Sequence, residues 1–141
     1  YKRQVKVYAI EKNPEAVELL YENRKKFALT NLEIIAGTAP EALEDLPAPT
    51  HVFIGGSSGK MEEVIALCLK KNPETRFVVN LITPESLAAV LEAAKTLPVT
   101  EPDLVTLTAA RSKKVGSSHL MMGQNPVWIV TFEGKTCISG I

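Results

Sequence analysis

The sequence predicts an α/β domain built on a mostly parallel sheet whose last strand runs antiparallel. Three observations carry this. Short β-prone runs alternate with helical stripes from Val5 to Leu97, the pattern of parallel strands joined by helices. The run Arg76 to Ile82 is nearly all apolar, as expected of a strand buried on both faces. Finally, Leu104–Ala110 and Val127–Phe132 are joined by Arg111 to Pro126, which holds Gly116, Ser117, Ser118, Gly123 and Asn125-Pro126 and no helical stripe. A parallel pair needs a long, usually helical crossover, so the final strand is expected to run antiparallel to its neighbour.

The elements follow in order. Val5 to Ile10 is a compact strand ending at Glu11. Asn13-Pro14 then starts a helix, Asn as N-cap and Pro in the first turn. Val17, Leu20, Arg24, Phe27 and Ala28 form its stripe. Leu32 to Ala36 is the second strand, closed by Gly37, and Ala39 to Leu46 suits a short helix. Pro47-Ala48-Pro49 is a rigid loop. His51 to Ile54 reads as a buried third strand running into Gly55-Gly56-Ser57-Ser58-Gly59. Lys60 to Lys71 is a helix with Met61, Val64, Ile65 and Cys68 on one face, stopped by Asn72-Pro73. After the fourth strand, Thr83-Pro84 caps a helix whose stripe is Leu87, Val90, Leu91, Ala94 and Leu97.

A length of 141 residues fits one domain. With 45% hydrophobic and 23% charged residues, the composition is that of a globular domain with a real core. Sixteen basic residues balance sixteen acidic ones, so nothing suggests a nucleic-acid surface. No apolar run is long enough to cross a bilayer. Cys68 and Cys137 have neither metal-site nor disulfide spacing, and a reducing cytoplasm fits them. The opening Tyr1-Lys2-Arg3-Gln4 lacks an initiator Met, so the chain is expected to begin partway through a longer protein.

Each residue that can carry chemistry has two readings. Glu11, at the carboxyl end of the first strand, can accept both ribose hydroxyls of an adenosine cofactor, because two O–H donors converging on one point favour an anion. It can equally be a solvated strand end beside Lys12. Gly37 permits close approach to a ligand. Thr38 can meet an adenine edge or cap the short helix before Ala39-Pro40-Glu41. Ile54-Gly55-Gly56-Ser57-Ser58-Gly59-Lys60 is no phosphate loop: Ile54 and Met61 stand where such a loop needs Gly and Ser/Thr. Gly55 and Gly56 suit a turn against a ligand, or plain flexibility. Asn80, a polar interruption near the end of an apolar strand, lines a pocket or satisfies backbone. Arg111, Lys113 and Lys114 form a basic cluster that suits an acidic acceptor or a solvated loop. His119 can act as a base or be incidental to a Ser/Met loop, and it has no triad or metal partners in the sequence.

An antiparallel last strand on a parallel sheet is the habit of class I methyltransferases, which are Rossmann-like. The segments VYAIEKNPEA (7–16), GTAPEAL (37–43), VFIGGSSG (52–59), VVNLITPESL (78–87), AAR (109–111), Gly116 and NPVWIV (125–130) cover nearly the whole chain. In this order they resemble the S-adenosylmethionine-dependent precorrin methyltransferases of cobalamin biosynthesis, which methylate C15 and decarboxylate the C12 acetate. The resemblance implies S-adenosylmethionine as cofactor, held by Glu11, Lys12, Gly37, Thr38, Ala39 and Gly55. It implies a precorrin tetrapyrrole substrate met by Gly56, Asn80 and Arg111, and a homo-oligomer.

The sequence departs from the family in two places. Thr38 stands where the family has Asp. The family's first strand and glycine-rich loop have no counterpart, so an N-terminally incomplete domain is expected, with a gap between the first and third strands counted here. A methyltransferase with another small-molecule or RNA acceptor, and a non-catalytic structural module, are the alternatives. A nicotinamide-binding domain ranks behind both, for want of a crossover helix before the last strand.

Overall fold

A computed structural model describes residues 5–56 and 59–136. It falls into two compact units, Tyr1–Leu46 and Pro47–Ile141.

In the first unit, β1 (Val7–Glu11) and β2 (Leu32–Ala36) pair in parallel from Val7–Leu32 to Glu11–Ala36, joined by α1 (Pro14–Lys26). The Asn13 side chain accepts the Glu15 N–H at 2.9 Å and caps α1, with Pro14 in the first turn, as expected. The helix ends in a left-handed cap. Ala28 has φ 50°, and the Leu29 N–H reaches back to the Arg24 carbonyl at 2.9 Å. Arg24, Lys25 and Lys26 crowd the last turn, where the helix dipole favours cations. Val17, Leu20 and Arg24 are half-buried as the stripe predicts, but Phe27 and Ala28, at the end of the helix, are exposed. The expected short helix is a 3-10 turn, Glu41–Leu43.

The second unit holds β3 (His51–Ile54), α2 (Met61–Lys71), β4 (Arg76–Leu81), α3 (Pro84–Thr96), β5 (Asp103–Leu107), β6 (Ala110–Val115), β7 (Ser118–Gly123) and β8 (Val127–Glu133). Four strands form one sheet in the order β3-β4-β8-β5. β3 and β4 are parallel, and β8 runs antiparallel to both β4 and β5. The antiparallel last strand is therefore observed, inserted between two strands that run alike.

Register sorts the side chains of this sheet by face. Val52 and Ile54 of β3 share a face with Phe77, Val79 and Leu81 of β4 and with Val130 and Phe132 of β8. Phe77, Val79 and Val130 are fully buried, and Met61, Val64, Ile65, Cys68 and Leu69 of α2 and Val90 and Ala93 of α3 complete the core. Ala93 was not in the predicted stripe; its small side chain buries beside Val90. The opposite face carries His51, Phe53, Val78, Asn80, Ile129, Val105 and Leu107. Two expectations change here. β4 is fully buried on one face and only half-buried on the other, and β3 is a poorly buried edge strand whose Phe53 is 66% exposed.

Past β8 the chain is pinned. The Gly134 N–H donates to the Thr75 carbonyl at 2.9 Å, and a Cβ on Gly134 would overlap the Pro73 carbonyl oxygen. Only glycine lets the two backbones pass so closely. Thr75 is buried, with its hydroxyl 2.7 Å from the Asn72 carbonyl and 3.0 Å from that of Pro49.

The segment expected as a loop is a hairpin. β6 and β7 pair from Ala110–Gly123 to Val115–Ser118 around Gly116-Ser117. Gly116 has φ 62°, as the first position of a two-residue II′ turn requires. The strand predicted over Leu104–Ala110 breaks accordingly, ending at Leu107 before Ala110 starts β6.

Candidate functional site

In the first unit the predicted residues Glu11, Lys12, Gly37, Thr38 and Ala39 come together at the carboxyl ends of β1 and β2. The Gly37 N–H donates to the Glu11 carbonyl at 3.0 Å, extending the ladder past Ala36. The Glu11 carboxylate folds over the chain that leaves β1. Its Oε1 accepts the N–H of Lys12 at 2.8 Å and of Asn13 at 2.9 Å. Two bonds to one oxygen fix the direction of the carboxylate. Glu11 is thus a positioned anion at a strand end. An adjacent donor set completes the pattern, because the Asn13 N–H serves Glu11 while the Asn13 side chain serves α1.

A Cβ on Gly37 would come within 3.2 Å of the Ala42 Cβ, so the turn after β2 is closely folded on itself. The 3-10 turn has Pro40 as its N-cap and no side-chain cap bond. Capping by the Thr38 side chain, one of its two sequence readings, is not realised; it is the Thr38 carbonyl that accepts the Ala42 N–H, at 2.9 Å.

In the second unit, Gly55 and Asn80 each follow the Ile54–Val79 pair, at the carboxyl ends of adjacent strands. Gly55 is closely approached: a Cβ there would stand 3.2 Å from Cε1 of the Phe53 ring. A Cβ on Gly56 would meet nothing within 4 Å. Asn80 pairs with Ile129 across β8 and is half-buried on the face that bears Phe53. Ser57 and Ser58 of the glycine turn lie outside the described residues.

Arg111 lies on the hairpin, and the basic cluster is split. Alternation puts Arg111 and Lys113 on one face with Met122 and Leu120, and Lys114 on the other with Met121 and His119. All twelve strand residues of the hairpin are exposed. Sequence reasoning missed the hairpin although its signal was present: Gly-Ser as a two-residue loop between β-capable runs. It also missed the exposure of Phe53, which a short apolar run does not distinguish from half-buried Val52 and buried Ile54.

An apolar groove of about 430 Å³, lined by Leu69, Lys70, Pro73, Leu97, Pro98 and Lys135 among others, opens at the opposite end of the sheet from Gly55. Cys68 is buried in the core, and burial pushes its thiol up to about 11. Among the described residues no cluster of His, Cys, Asp or Glu could hold a metal ion, and no helix is long and apolar enough to cross a membrane.

Parallel strands with crossover helices, a last strand turned antiparallel inside the sheet, and an acid fixed at the end of β1 define a class I methyltransferase-like α/β fold. Comparison with known proteins narrows the class. Residues 1–133 match the precorrin methyltransferase domain, and the chain belongs to that family. It is 34% identical over 132 residues to a probable cobalt-precorrin-6B C(15)-methyltransferase (decarboxylating) of Sulfolobus acidocaldarius, covering 92% of this chain and 68% of the relative. It is 32% identical to the cobalt-precorrin-6B C(15)-methyltransferase (decarboxylating) of Salmonella typhimurium, over 92% of this chain and 67% of that protein. The crystal structure of precorrin-6y C5,15-methyltransferase from Geobacter metallireducens superposes with a TM-score of 0.80 at 31% identity, covering 91% of this chain and 68% of that one.

Proposed function

We propose that this chain carries out the C15 methylation of a cobalt-precorrin or precorrin, with loss of the C12 acetate carboxyl as CO₂, in cobalamin biosynthesis. The methyl donor is S-adenosylmethionine, and the step takes place in the cytoplasm. The observation that carries the reading is the Glu11 carboxylate, held by the N–H groups of Lys12 and Asn13 at the end of β1. A preset anion suits two ribose hydroxyls without a reorganisation cost.

The chemistry asks for little else. A sulfonium methyl is already activated, so orientation supplies most of the help. The electron pair of the ring carbon takes the methyl, and S-adenosylhomocysteine leaves as a neutral thioether. In the first unit, Glu11, Lys12, Gly37, Thr38 and Ala39 serve the adenosine. In the second, Gly55 serves the donor, and Gly56, Asn80 and Arg111 serve the tetrapyrrole. Gly56 suits this because a side chain there would occupy open space rather than core. Arg111 suits it because a guanidinium pairs bidentately with the carboxylates of the macrocycle.

Two further readings belong to the proposal. The domain is N-terminally incomplete over 1–141. In its support, among the described residues β1 pairs only with β2 and β3 only with β4, which leaves parallel edges that need partners. The protein is also a homo-oligomer. In its support, the hairpin exposes Leu120, Met121 and Met122 by 51%, 66% and 46%, and a lone hairpin is marginal in water.

The test is turnover with cobalt-precorrin-6B and isotopically labelled methyl donor. The expected product has gained the labelled methyl and lost a carboxylate. Label transfer to a different acceptor, with none to the precorrin, would favour the alternative methyltransferase reading.

A further inference from the structure

We propose that one face of the β6–β7 hairpin seats the acceptor macrocycle, with Arg111 and Lys113 taking two of its carboxylates and Leu120 and Met122 supporting the ring beside them. The inference deepens the precorrin reading above and rests on it. It starts from an uneven distribution of charge. The chain as a whole is balanced, yet from Leu104 to Phe132 it holds Arg111, Lys113 and Lys114 and no Asp or Glu. Among the described residues, none of the three pairs with a carboxylate. Cations without counter-charges are therefore gathered in one arm.

Two features of the fold turn that charge into a surface. The first is place. β3, β4 and β5 run the same way, and Trp128 of β8 pairs with Leu81 and with Thr106 near their carboxyl ends. The hairpin leaves the sheet at that end, between Leu107 and Val127, where ligands of open α/β sheets bind. Gly55 and Asn80 stand at the same end. The second is register. Arg111 pairs with Met122 and Lys113 with Leu120, all four on one face. Side chains two apart on a strand stand about 7 Å apart, so the cations form one row and the apolar side chains a second row on the neighbouring strand. A broad ring with acidic arms matches both rows. The ring lies on Leu120 and Met122, and its carboxylates reach a guanidinium that binds bidentately and an ammonium that acts as a point charge.

A second copy of the chain is the poorer occupant of this face. Self-contact would gather two Arg111 and two Lys113 side chains with no carboxylate among them. The opposite face, where Met121 is 66% exposed and Lys114 is the one Lys or Arg, is left for assembly.

The experiment measures binding of cobalt-precorrin-6B to the full-length protein by absorbance titration, with S-adenosylhomocysteine present to stop turnover. Lys113→Glu should weaken binding about 10-fold or more. Lys114→Glu, the same change of charge on the opposite face, should stay within about 3-fold. Lys113→Ala should cost about 3-fold to 10-fold and flatten the dependence of binding on salt, and Lys113→Arg should keep the parent affinity. Leu120→Ser should weaken binding and leave the salt dependence as it is. S-adenosylhomocysteine affinity and melting temperature should stay level across the series, which separates a lost contact from a lost fold. Equal effects of Lys113→Glu and Lys114→Glu would reveal a general field in place of a seat, and no effect of either would put the macrocycle elsewhere. Each of these overturns the proposal, while binding by the parent protein leaves the precorrin reading standing. A parent that neither binds nor methylates cobalt-precorrin-6B would overturn both.

Discussion

Phe77 of β4 and Phe132 of β8 stack across the antiparallel ladder, with ring centroids 5.1 Å apart and planes 21° from parallel. Both rings are essentially buried. They hold the inserted last strand against the parallel part of the sheet. Phe132→Ala should destabilise the fold by about 3–5 kcal/mol. A double-mutant cycle with Phe77→Ala should show coupling of about 0.5–1.5 kcal/mol. Urea denaturation of the four proteins checks both numbers, and strict additivity would mean that the stack adds nothing to burial.

Glu11→Gln keeps an oxygen for the Lys12 and Asn13 N–H groups and removes the charge. Bonds to a charged group are worth about 1.5–3 kcal/mol. S-adenosylhomocysteine affinity should therefore fall about 10-fold to 100-fold, with the melting temperature nearly unchanged. Calorimetry beside a thermal melt reads both. An unchanged affinity would assign Glu11 to the solvated strand end that its position also allowed.

Arg111→Ala should raise the KM for the precorrin by about 10-fold or more and leave the donor KM within about 2-fold, since removing a charge-assisted pair costs about 1.5–3 kcal/mol. Lys114→Ala, on the opposite face of the hairpin, is the internal control. Steady-state kinetics with each substrate varied in turn make the comparison. Equal effects of Arg111→Ala on both ligands would remove its assignment to the acceptor.

Cys68 yields a pH prediction. Its folded-state value is about 11 against an ordinary 9.0, because burial disfavours the thiolate. The neutral thiol's contribution to stability is whole below about pH 9 and is lost as pH rises through about 11. A Cys68→Ala variant should lack this part of the alkaline decline when urea midpoints are followed from pH 8 to 11. At pH 8 the native thiol should also resist alkylation that the unfolded chain undergoes readily, as peptide mapping would show.

The sequence made the helices legible because each has a cap and a stripe. Asn13-Pro14 and Thr83-Pro84 start α1 and α3 where predicted, the Thr83 hydroxyl accepting the Ser86 N–H at 3.2 Å. Met61, Val64, Ile65 and Cys68 are buried as their spacing required. The antiparallel last strand was legible from a missing crossover helix. The degree of burial was not: whether β3 and β4 are covered on one face or two depends on what lies against them, which apolar runs do not encode. The hairpin was obscured because one strand holds its cations and the other its Leu and Met, and neither alternates apolar with polar residues. At the site, the position of Glu11 was readable, but the two N–H bonds that aim its carboxylate belong to the geometry of the turn after β1.

The Gln124 N–H donates to the Ala109 carbonyl at 2.8 Å, closing the base of the hairpin just below the Ala110–Gly123 pair. Chain therefore enters and leaves β6–β7 at nearly the same point. Such a module is a cassette: residues 110–123 can be exchanged for another arm, or for a short turn, without rethreading the sheet beneath. Variation in acceptor choice or in assembly can accumulate there while the core that Phe77 and Phe132 anchor stays as it is.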